Sequence, residues 1–165
     1  MTEATATAAR PATAISRKAA LISFAGAATF VVLLAVLHLI KPGLDPSWRF
    51  ISEYAIGDYG WMMVLAFLSL AVGYVSLFVA IRSKLRTIAG RIGLALLLVS
   101  ALGLAIAAVF TTDPITVSED AVTTEGTLHN LGGTLGIAMP FAAALVAGSW
   151  LAIQHGLRQS GPFCG

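Results

Sequence analysis

Apolar residues run along this chain in long blocks, with little strand-like alternation. Ala19–Ile40 carries no formal charge when His38 is neutral, and three more charge-free runs follow: Tyr59–Ile81, Ile92–Thr112 and Gly126–Leu157. A bilayer core needs about 20 apolar residues in helical form, and each run supplies them. In hydrocarbon only helices and closed barrels satisfy every backbone N–H and C=O. These runs are far longer than the roughly 10-residue alternating strands of a membrane barrel. The pattern therefore predicts an all-α fold, an integral membrane bundle of four transmembrane helices over about 19–40, 59–81, 89–112 and 127–155. Short connections make an antiparallel up-down arrangement natural. Residues 1–18, rich in Ala and Thr, are expected to form a disordered cytoplasmic tail. Residues 19–157 form the transmembrane domain and 158–165 a short cytoplasmic tail. A signal peptide would have a shorter apolar core and a small-residue cleavage site, so the first run is expected to be a retained helix.

Composition agrees with this pattern. The 165 residues are 58% hydrophobic and 11% charged, against roughly 45–50% and about 25% in soluble domains. So few charges cannot cover a water-facing surface, which excludes a disordered chain, a secreted disulfide scaffold and an ordinary cytosolic enzyme. The charges are also segregated. Arg10, Arg17, Lys18, Arg82, Lys84, Arg86, Arg91 and Arg158 fall on one side of the predicted spans, and only Lys41 and Arg49 on the other. The positive-inside rule makes the richer side cytoplasmic, with both termini inside the cell membrane. The outer loops hold Asp45, Glu53, Asp58, Asp113, Glu119, Asp120 and Glu125. Trp48, Tyr54, Tyr59 and Trp61 form an outer aromatic belt, and Trp150 lies near the inner face. The expected partner is the lipid bilayer. No basic patch interleaves with base-stacking aromatics, so nucleic acid is not expected.

Small residues four apart permit close helix approach in lipid: Ser69 and Gly73, Gly103 and Ala107, Gly132 and Gly136. Pro140 is expected to kink the fourth helix. The lone Cys164 matches neither a disulfide, a zinc pair nor a prenylation box and reads as a bystander.

The polar residues that bear chemistry gather at the outer helix ends. His38 closes the first helix, Glu53 precedes the second, Asp113 follows the third and His129 opens the fourth. Ionisable groups at one membrane depth pair with each other or act. Three readings follow. The leading one is a structural or binding cluster of His38, Ser52, Glu53, Asp113 and His129 in a small non-enzymatic membrane protein. The second is a membrane-embedded hydrolase acting on a lipid or its headgroup, with His38, Asp113 and His129 holding a divalent metal such as zinc and Glu53 as the base that activates water. The third is a proton-coupled carrier, which four short helices and uncharged helix centres (Ser69, Ser100 and Thr134) disfavour. Ser52 beside Glu53 lacks the nucleophile elbow GxSxG.

At these same residues the chain resembles a bacterial integral membrane family called domain of unknown function 998. The shared pattern is His38, Asp45-Pro46, then Ser52-Glu53-Tyr54-Ala55, Gly57 and Gly60-Trp61. It continues with Arg86 and Arg91-Ile92-Gly93, then Phe110 with Asp113-Pro114, then Thr123, Gly126 and His129. The resemblance covers about residues 20–155. It implies no reaction, because the family has no established activity. It implies two further C-terminal helices in most members, so this chain is expected to be shortened at its C-terminus. A homo-oligomer would then supply the missing contacts.

Overall fold

A computed structural model of the chain describes residues 14–136 and 138–159, with side chains at 14–136 and 141–153. Among the described residues there is no strand. Four segments are helical, long and apolar enough to cross a membrane. They are α1 (Ala14–Ile40), α2 (Gly60–Ile81), α3 (Ile88–Val109) and a fourth span, Thr124–Ile153, to which α4 (Thr124–Gly136) and α5 (Ala138–Gln159) contribute. The chain is thus all-helical and multi-pass. Of the expected tails at 1–18 and 158–165, residues 1–13 and 160–165, with Cys164, lie outside the described residues, as do the side chains of Pro140 and His155. Helix α1 is described from Ala14 onward, so Arg17 and Lys18 are helical.

Local chemistry sets the helix ends. At the start of α3 the Thr87 hydroxyl accepts the Gly90 N–H at 3.0 Å, capping one of the orphan donors of the first turn. At the start of α2 the chain turns sharply through Gly57 and Tyr59, at φ 70° and 62°. Gly57 reaches that left-handed region without strain, whereas Tyr59 does so against the clash of its own Cβ. Gly60 completes the turn by lying against the Ala55 carbonyl, where a Cβ would overlap it.

The helices pack as a chain of neighbours: α1 on α2, α2 on α3, and α3 on both α4 and α5. Lipid tails are as apolar as leucine, so helix association in a bilayer relies on close packing. Small residues provide it here. Gly26 of α1 lies against the backbone of Ser69 and Gly73, and a Cβ there would overlap the Ser69 carbonyl. Gly103 of α3 faces Gly132 and Gly136, where a Cβ would lie 2.5 Å from the Gly132 oxygen and 2.6 Å from the Gly136 nitrogen. The sequence pairs on α2, α3 and α4 thus sit at crossings, and Gly26 supplies the surface that α2 meets. Beyond the first crossing, towards the first loop, lies the core of Leu37, Tyr54, Met62, Met63, Ala66, Phe67 and Ala108. The opposite face of α1 is open, with Leu21, Phe24, Val31, Val32 and Leu39 all exposed.

Candidate functional site

Two connections meet beside this core: the first loop (residues 41–59) and the third loop (residues 110–123). The first loop contains a 3₁₀ turn, Ile51–Ala55, which seats Glu53 and Tyr54 inward. Glu53 is 1% exposed. Its Oε1 accepts Arg49 Nη1 at 3.0 Å, and also the backbone N–H of Ile115 at 2.5 Å, 62 residues away. That second bond ties the two loops together. Glu53 Oε2 and Arg49 Nε are buried with no hydrogen-bond partner among the described residues. The Arg49 guanidinium also lies 4.4 Å over the Trp48 ring, an attraction between a cation and the ring's negative face. Ser52 is half-buried beside Glu53.

Tyr54 is buried, and its hydroxyl donates to the Leu44 carbonyl at 3.2 Å. Burial raises its pKa above the ordinary phenol value, with a smaller push from the Asp45 charge. The His38 ring packs against it at 4.9 Å between centroids. His38 Nδ1 lies 2.8 Å from the Leu34 carbonyl. A carbonyl only accepts, so Nδ1 carries a proton. Lys41 donates to the carbonyls of Tyr54 at 3.0 Å and Ile56 at 2.6 Å, closing the exit of the 3₁₀ turn. Burial lowers the Lys41 pKa, and the Asp58 charge partly offsets this. Asp45 accepts the Ser47 N–H at 2.9 Å in a tight turn, and that bond holds its carboxyl below the usual range.

The third loop is held by an interlock. Asp113 Oδ2 accepts the Thr123 N–H at 2.8 Å, and Oδ1 accepts the Thr123 hydroxyl at 2.9 Å. The same hydroxyl oxygen accepts the Gly126 N–H at 2.9 Å and so caps α4. Gly126 must lack a side chain, because a Cβ there would overlap the Asp113 carboxylate. One turn further on, His129 is 4% exposed and its Nδ1 lies 2.8 Å from the Phe110 carbonyl at the end of α3. Its ring packs on Phe67 of α2 at 6.0 Å. The two sequence patterns of this region, Phe110 to Pro114 and Thr123 to His129, therefore fit into one another. Each half satisfies the polar groups that the other exposes.

The five residues singled out from the sequence lie around one loop end, and they work as two linked groups. His38 and Glu53 flank Tyr54 in the first, Asp113 and His129 hold the third loop, and the Glu53–Ile115 bond joins them. Among the described residues no three His, Cys, Asp or Glu side chains come together to hold a metal, and both Asp113 oxygens are engaged by Thr123. Arg49, Lys41 and Thr123 join the cluster, although the sequence marks the first two only as cations of the loop side and the third only as a position in the family pattern. The signals were partial: Arg49 stands four residues before Glu53, and Thr123 stands three before Gly126 in an N-cap position. Lys41 had none, since its partners are backbone carbonyls.

A family model described as "Protein of unknown function (DUF998)" matches residues 24–161. The chain belongs to the DUF998 family. No curated protein and no solved structure matches it. In this DUF998 chain the matched region takes in α1 from Phe24 onward, both linked loops and the whole interlock.

Proposed function

We propose that this DUF998 chain is a small multi-pass protein of the cell membrane whose outer polar cluster serves as a clasp. The helices form an antiparallel up-down bundle with both termini on the cytoplasmic side. The clasp binds the ends of α1, α2, α3 and α4 into one stiff outer face, suited to structural or binding work. The observation that carries this reading is the Glu53–Ile115 bond between loops, with the Asp113–Thr123 and His129–Phe110 bonds closing the same face. Every one of these ends on backbone or on a capping hydroxyl, which is how a fold spends polar groups that hold it together. The orientation rests on the exposed cations Arg17, Lys18, Arg82, Lys84, Arg86 and Arg91, with the described acids in the first and third loops and, for Glu125, in the first turn of α4.

Melting in mild detergent tests the clasp. Asp113→Ala removes the two bonds to Thr123 and is expected to lower stability by about 1 kcal/mol, the worth of a helix cap. Unchanged melting in both Asp113→Ala and His129→Ala would overturn the reading. Single cysteines in a Cys164→Ser background test the orientation. An impermeant maleimide should label S118C in intact cells and leave S83C unlabelled; the reverse result inverts the topology.

A further inference from the structure

The α1–α2 crossing leaves a wedge on its basic side. At Gly26 the α1 backbone lies against Ser69 and Gly73 of α2. Between the two helices opens a groove of about 290 Å³, walled by Ile15, Ala19 and Ile22 of α1 and Val75 and Val79 of α2, with Ser76 in the wall and Lys18 at the mouth. Lys18 is exposed and has no ion-pair partner among the described residues, where the Arg49–Glu53 pair stands alone. Arg17, Arg82, Lys84, Arg86 and Arg91 crowd the same end, and none of the described acids does.

We propose that this wedge seats an anionic phospholipid of the inner leaflet, one acyl chain in the groove and its phosphate on Lys18. The proposal rests on the membrane reading above and adds a ligand to it. Three features select this occupant. The walls are apolar and open sideways, as an acyl chain requires. The Lys18 stem can lie along the wall while its ammonium reaches headgroup level. The rim carries uncompensated positive charge, and basic pockets between spanning helices on the cytoplasmic side recognise anionic headgroups. The N-terminal segment 1–13 is a poor competitor for the mouth: its only acid is Glu3, set against Arg10.

The test uses the full chain purified in dodecyl maltoside, with phosphatidylglycerol or phosphatidylcholine of matched acyl chains added back. Native mass spectrometry counts retained lipid and a melting curve reads protection. Phosphatidylglycerol should be retained and should raise the melting temperature, while phosphatidylcholine at the same concentration does neither. Lys18→Glu should weaken phosphatidylglycerol retention at least fivefold, taking about 1 kcal/mol per surface cation as the guide. Lys18→Arg should keep retention, and Lys84→Glu, on the same rim but outside the groove, should change it little. Val79→Trp fills the wedge without touching charge and should abolish retention. Should that variant fail to fold, the two exposed Lys18 variants decide alone. Equal retention of the two lipids, or equal loss in Lys18→Glu and Lys84→Glu, would overturn the proposal. So would protection by soluble glycerol 3-phosphate equal to that by the lipid, since it would leave the groove without a part. Carbonate extraction of cell membranes checks the membrane reading separately. A chain that stays in the membrane yet shows no lipid preference fails the proposal alone.

Discussion

At the end of the bundle with the first and third loops, cations have partners. Arg49 is held by Glu53 and Trp48, and Lys41 by two carbonyls. At the end with the second loop (residues 82–87), Arg82, Lys84, Arg86 and Arg91 stand exposed with no carboxylate among the described residues to meet them. Loop length explains part of the difference. The second loop is a short turn closed by the Thr87 cap and the buried Leu85, both local devices. The first and third loops run over 41–59 and 110–123, lengths at which unstructured connections are uncommon in compact domains. Their ordering has to be offset by bonds, and the bonds are found in Glu53, Tyr54, Asp113 and His129. One end is tied by bonds between its loops, and the other is left charged and exposed.

This contrast fixes an order of mutational effects. Glu53→Ala should be the most damaging, lowering stability by about 3 kcal/mol, because it leaves Arg49 and the Ile115 N–H without their partner. Chemical denaturation in detergent would measure it, and a loss below that of Asp113→Ala would break the claim that the two loops are held through Glu53. His129→Ala should follow at about 2 kcal/mol, through the lost bond to Phe110 and the space opened beside Phe67. The same melting series reads it.

An alkaline titration sharpens the contrast further. The folded pKa of Tyr54 is raised, so its contribution is intact below the unfolded value of 10.0. Above that pH the unfolded chain releases its proton first, and stability falls until the folded phenol also ionises. Melting curves between pH 9 and 11 should show this fall in the wild type, and Tyr54→Phe should reduce it. At the basic end, Lys84→Ala should change stability by less than about 0.5 kcal/mol, as expected for an exposed side chain with no special contact. If it matched His129→Ala, the two ends would not differ in the way the structure implies.

The spans were legible because burial in lipid is a local property of each segment. Their ends were legible to within a few residues, and the shifts have causes. Helix α1 already includes Ala14–Lys18, ahead of the expected Ala19, because nothing between there and Gly26 interrupts a helix. Helix α3 stops at Val109, short of the expected Thr112, because Phe110 turns extended on the way to Asp113-Pro114. The fourth span begins at Thr124 because Thr123 caps it. The candidate residues at the loop end were legible too, since ionisable groups at one depth are few. Their linkage was not.

What the sequence determined by itself is the number of spans, the segregation of charge and the short list of polar residues that had to be accounted for. Each of these follows from the transfer of one segment between water and lipid. What only the tertiary structure decided is which groups meet. Glu53 reaches the N–H of Ile115 and His129 reaches the carbonyl of Phe110. Those partners are backbone atoms that every residue possesses, so no residue type announces them. The same holds at Gly26, whose role appears only when Ser69 and Gly73 lie against it. Pairing depends on how the chain returns through space, and only the packed helices set that.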